Sequence, residues 1–138
     1  MSLKENSGRE WILKYIKRSP IDFLNKFCGE SWAQPYIDET TRKYAKEKPL
    51  NFLNFFSDKP LAEPYIDVAA KEAANRYSFY FLHNFSNKPW AQPYLDDAAK
   101  GTAKKEPEYF MEKWADRFPH HVNLALFALG DKNGSKSK

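Results

Sequence analysis

The sequence predicts an all-α protein, an α–α superhelix of about three two-helix repeats with partial capping units, on three observations. First, one phrase recurs: FLNKFCGESWAQPYID from Phe23, FLNFFSDKPLAEPYID from Phe52 and FLHNFSNKPWAQPYLD from Phe81, each about 29 residues after the last. Fixed-period self-similarity of this length marks a stacked supersecondary unit that buries its apolar face only against its neighbours. Second, apolar residues between the phrases fall at steps of three and four, as in Ala62, Ile66, Ala69, Ala70, Ala73 and Ala74, which is helical periodicity. Third, prolines stand where helices should begin, and alternating β-branched runs with tight glycine turns are nearly absent.

Each element follows from those patterns. Residues 1–7 read as a tail. From Gly8 to Arg18, Trp11, Ile12, Tyr15 and Ile16 share one face, which predicts a helix capping the first repeat (8–19). Three repeats follow, at about 20–48, 49–77 and 78–106. In each, a first helix starts near Pro20, Pro49 or Ser78 and carries a phenylalanine pair: Phe23 with Phe27, Phe52 with Phe56, Phe81 with Phe85. It stops at Cys28-Gly29, at Ser57-Asp58-Lys59-Pro60 or at Ser86-Asn87-Lys88-Pro89. A second helix then runs to about Lys46, Asn75 or Lys104. Pro35, Pro64 and Pro93 would cost a hydrogen bond inside a helix, so each is expected in the second helix's first turn, after a short irregular or 3₁₀ lead-in. Alanines along the second helix imply close helix approach. Trp32, Tyr36, Trp90 and Tyr94, recurring in register, are expected in the core between repeats. A partial repeat and cap (107–130) begins at Pro107, and His120–Leu129 reads as an apolar closing helix whose free side could self-associate. Residues 131–138, DKNGSKSK, read as a second tail.

The composition narrows the function classes. The 138 residues carry 22 Lys and Arg against 18 Asp and Glu, a net charge of +4. That balance permits an anionic partner, but Asp38, Asp67 and Asp96 stand four residues before Arg42, Lys71 and Lys100. This is the favourable order for helical ion pairs, so nucleic acid is the less expected partner. The single Cys28 excludes an internal disulfide framework. No apolar run reaches the roughly 20 residues of a membrane span, and the hydrophilic first residues lack a signal-peptide core, so a cytoplasmic location and no membrane partner are expected.

No phosphate-cradling glycine loop and no catalytic constellation is present; no catalytic residue and no cofactor is expected. Asp116, His120 and His121 have spacing a metal could use, yet adjacent histidines after Pro119 read more simply as a helix start, and no metal is expected. The candidate binding residues lie on the outer side of the first helices: Asn51, Asn54 and Phe55; Tyr80, His83 and Asn84; and Tyr109. Within each helix they are three or four residues apart and share a face. Amides there suit the backbone of an extended peptide, and aromatics offer contact area at low entropy cost. The same aromatics would alternatively pack between repeats.

In overall design the chain resembles the α-hairpin tandem repeats, similar to tetratricopeptide and HEAT-type solenoids, over about residues 8–129. Its 29-residue unit is shorter than those classes use, and its phrase differs from the tetratricopeptide pattern. The resemblance implies a module that binds a protein or peptide, and it transfers no site residues.

Overall fold

The computed structural model describes residues 3–137, with side chains over 8–130, and among them it is all helical. The α-helices are α1 (Leu3–Arg18), α2 (Pro20–Phe27), α3 (Gln34–Glu47), α4 (Pro49–Phe56), α5 (Ile66–Arg76), α6 (Ser78–Phe85), α7 (Leu95–Lys105), α8 (Pro107–Lys113) and α9 (Val122–Ser137). Short 3₁₀ helices at Ser31–Ala33, Pro60–Tyr65, Pro89–Tyr94 and Pro119–His121 lead into α3, α5, α7 and α9. The chain packs as two compact units, one ending at Tyr65 and the other beginning at Ile66.

A recurring joint sets the element order. Lys48, Tyr77 and Glu106 share a φ of −130° and close the preceding helix, their N–H groups donating to the carbonyls of Tyr44, Ala73 and Thr102 at 2.7 to 2.8 Å. The same residues open the next helix, their carbonyls accepting from the N–H of Phe52, Phe81 and Phe110 at 2.9 Å. A following proline pushes its predecessor out of the helical region, and Lys48 and Glu106 both precede one. Tyr77 reaches the same conformation before Ser78, whose hydroxyl donates to the Ala74 carbonyl at 2.9 Å. Across from Ser78, Gly101 leaves room that any side chain would fill, since a Cβ there would stand 2.1 Å from the serine oxygen. The joint therefore ends and starts helices with a single residue.

In the first unit, α1 lays Trp11 and Tyr15 on the phenylalanines of α2. The Tyr15 ring lies 5.6 Å from Phe27 and 6.1 Å from Phe23. Phe23, Leu24, Phe52, Leu53 and Phe56 are fully buried, and Tyr44 meets Phe52 and Phe56 edge-on. In the second unit, Ala69, Ala70, Ala73, Ala98, Ala99 and Ala103 have no exposed surface, which allows helices to approach closely around Phe81, Leu82 and Phe110. Thr41 on α3 and Thr102 on α7, both buried, donate to the carbonyls of Ile37 and Ala98 one turn back.

Several expectations need correction. The first helix begins at Leu3 rather than Gly8, and the last continues to Ser137 rather than stopping at Leu129. Pro35 sits in the first turn of α3 as expected, but Pro64 and Pro93 lie inside the 3₁₀ helices that lead into α5 and α7. Trp32 is not core: it is 46% exposed, with Phe27 covering one face at 5.4 Å. Trp90, Tyr36 and Tyr94 are half-buried.

The expected ion pairs of Asp38, Asp67 and Asp96 with the cation four residues on are absent among the described residues. Asp38 and Asp96 instead bond to residues 24 to 27 positions onward: Tyr65 donates its hydroxyl to Asp38, and His120 and His121 meet Asp96. Tyr94 lies near Asp67, which together with burial raises the tyrosine's pKa, burial contributing most. At Asp38 the link overrides a helical pair worth only a few tenths of a kcal/mol, because it places a directed phenol donor on the carboxylate.

Candidate functional site

The proposed binding residues fall into both units, and each group keeps its outer position. In the first unit Asn51, Asn54 and Phe55 are exposed on α4, Phe55 by 51%. Phe52, Leu53 and Phe56 face inward on the same helix, which leaves the amides outward. Burial raises the pKa of the Tyr44 hydroxyl, with a smaller opposing contribution from Asn51. The α1–α3 side of this unit holds an open groove of about 380 Å³ lined by Leu13, Ile16, Tyr36 and Tyr44 among others, a feature the sequence reading missed.

In the second unit α6 and α8 assemble an aromatic surface cluster. Phe79 stacks parallel to His83, at 5.7 Å and 8° between planes, and meets Tyr109 at 4.6 Å. His83 Nδ1 and the Tyr109 hydroxyl lie 3.2 Å apart, a hydrogen bond whose direction follows the imidazole tautomer. Tyr80 stands beside Phe79 and is 56% exposed; Asn84 is exposed too. The structure therefore brings Tyr80, His83 and Tyr109 together through Phe79, a residue the sequence reading did not single out. Its signal was available in the i+4 spacing from Phe79 to His83.

A second cluster lies at the end of the repeat pattern. Asp96, on the first turn of α7, faces His120 and His121 of the last 3₁₀ helix. Oδ1 of Asp96 is hydrogen-bonded to Nε2 of His120 and lies 3.0 Å from Nε2 of His121. The imidazole rings are 4.1 Å apart, and the ligand atoms of all three residues lie within 4.8 Å of one another. His121 is buried, whereas His120 and Asp96 are each 57% exposed. The bond to His120, then that to His121, hold the Asp96 carboxyl below its ordinary pKa against an opposing contribution from burial. Asp116, the residue first grouped with the histidines by spacing, is not a member of this cluster; the carboxylate comes from 24 and 25 residues upstream.

Aligning Pro119 with Pro89 explains the exchange. His120 and His121 then take the places of Trp90 and Ala91, and the N–H of His121 bonds the Phe118 carbonyl at 3.0 Å as that of Ala91 bonds Lys88 at 3.1 Å. No tyrosine follows to meet Asp96. The two imidazoles fill that role.

With this geometry in view, the chain was set against protein-family models, curated proteins and solved structures. It matches none of them. No helix among the described residues is long and apolar enough to cross a membrane.

Proposed function

We propose that the chain is a non-catalytic α-solenoid scaffold that binds a protein or peptide segment along the outer faces of its first helices. The observation that carries this reading is the Phe79–Tyr80–His83–Tyr109 cluster, which holds rigid aromatic area at the surface with Asn84 nearby to pair with a backbone. The solenoid arrangement is supported by the recurring joint at Lys48, Tyr77 and Glu106 and by the forward link from Asp38 to Tyr65. Panning a linear-peptide library against the intact chain tests it. The expected result is peptides that bind the wild type and lose at least about 10-fold in affinity, near 1.4 kcal/mol, on a combined Tyr80→Ala and Asn84→Ala change. Peptides that bind the double variant equally would contradict the site.

An RNA-binding reading gains one observation. With Asp38 and Asp96 engaged forward and Asp67 making no ion pair, Arg42, Lys71 and Lys100 lack the acidic partners expected one turn back, among the described residues. On that reading binding collapses between low and moderate salt, whereas a peptide held by amides and aromatics keeps most of its affinity. Self-association through α9 draws support from Phe127, 75% exposed, and Leu126, 49% exposed. A Phe127→Ser chain that sediments like the wild type at high concentration would count against it.

A further inference from the structure

The Asp96–His120–His121 cluster has more donor capacity than its place in the fold needs. The same aspartate position in the first copy accepts from one tyrosine hydroxyl, that of Tyr65 on Asp38, and in the second copy Asp67 lies near Tyr94. At Asp96 two imidazole nitrogens converge on one carboxylate oxygen. A tyrosine offers a neutral oxygen near pKa 10, a poor ligand at neutral pH; an imidazole offers a nitrogen lone pair near physiological pH.

We propose that Asp96, His120 and His121 bind a late first-row divalent cation, represented by Zn²⁺. Imidazole with one carboxylate is a donor set such ions favour. In a tetrahedral zinc site with bonds near 2.0 to 2.1 Å the donors stand about 3.3 Å apart, so atoms already within 4.8 Å need only small side-chain rotations. His121 is held by burial, and Asp96 is fixed on the first turn of α7, so two of the three ligands are preplaced. His120 is exposed and leaves the site open to an ion arriving from solvent.

As drawn, both Nε2 atoms face the carboxylate, so neutral imidazoles carry their protons there and donate to Oδ1. Ligation needs the tautomer with the proton on Nδ1, which frees the Nε2 lone pair. Three protein donors leave at least one coordination position for water or for a ligand group from a partner.

Calorimetric titration of the intact chain with ZnCl₂ at neutral pH, in a buffer that does not chelate, tests the proposal. The expected result is one Zn²⁺ per chain. Asp96→Asn and His120→Ala should each weaken binding by about 10-fold or more, the least expected when even an outer-shell partner of a metal is lost. Asp67→Asn and His83→Ala, at the corresponding rung and at the remaining histidine, should leave it unchanged.

Co²⁺ added to wild-type protein provides a readout without any variant, broadening the ring signals of His120 and His121 before those of His83. Absence of binding, equal affinity in all four variants, or equal broadening at the three histidines would overturn the assignment and leave the cluster a hydrogen-bonded rung.

Discussion

The junctions around Asp38 and Asp67 and the junction around Asp96 start from the same residue at the same place in the repeat and end differently. At the first a phenol from the next copy donates to the carboxylate, at the second a phenol stands near it, and at the last two imidazoles converge on it. A phenol hydroxyl can satisfy a carboxylate and do little else at neutral pH. An imidazole pair satisfies it equally and adds a titratable, metal-competent group. The difference is in the partner residue: the same aspartate position can be met by a phenol, which donates to it, or by imidazoles, which can also ligate a metal.

The comparison can be broken at its base first. If the apolar layer rather than the polar rungs carries the second unit, Phe81→Ala should cost about 3–5 kcal/mol, because Phe81 has no exposed surface and its loss leaves a cavity. Urea unfolding reads this directly, and a cost no larger than that of losing a rung would reverse the ranking. Tyr65→Phe removes the hydroxyl bonded to Asp38, and Tyr94→Phe the hydroxyl near Asp67. Each should cost about 0.5–1 kcal/mol, the low end for a hydrogen bond, since both tyrosines keep contact with water.

A fourth substitution works in the opposite direction. Gln34 donates its amide to the carbonyls of Cys28 and Glu30, and Gln92 donates likewise to Ser86 and Lys88, all at 2.9 to 3.0 Å. The middle copy has Glu63 there, and an ionised carboxylate cannot donate. Glu63→Gln should therefore stabilise by about 0.5 kcal/mol, measured as a raised urea midpoint with an unchanged slope.

The smallest effect concerns the cap. Tyr15 donates its hydroxyl to Asp22, which lowers the aspartate's pKa in the folded state, with Lys26 at 3.6 Å adding to the shift. A folded pKa below the unfolded value, near 3.9, gives a contribution present above that value and lost as pH falls through the lower folded one. The stability difference between wild type and Tyr15→Phe should accordingly shrink as pH drops from 5 toward 2.

Much of this architecture was readable in the residues. The starts of α2, α4 and α8 follow from Pro20, Pro49 and Pro107, because proline both suits a first turn and expels its predecessor from the helix, and the start of α6 at Ser78 follows from the repeat register. The forward rungs were not readable. Helical pairing rules see four residues ahead, while Tyr65 lies 27 beyond Asp38. Following that same spacing from Asp96 leads to Asn123, and the failure of the pattern there was the available signal that something else meets the carboxylate. Trp32 misled because recurrence at a position says that the backbone repeats, while burial depends on what covers each copy. In the candidate binding face, the outward direction of Asn54 and Tyr80 was legible from helix periodicity, and the role of Phe79 in joining His83 to Tyr109 was not, since that contact crosses between α6 and α8.

Carboxylate carbon NMR of the three aspartates during a Zn²⁺ titration tests the contrast between phenol and imidazole junctions most directly. The account predicts that the Asp96 signal moves to saturation with one equivalent while Asp38 and Asp67 stay in place. Equal movement of all three, or an Asp96 signal that does not respond, would contradict it.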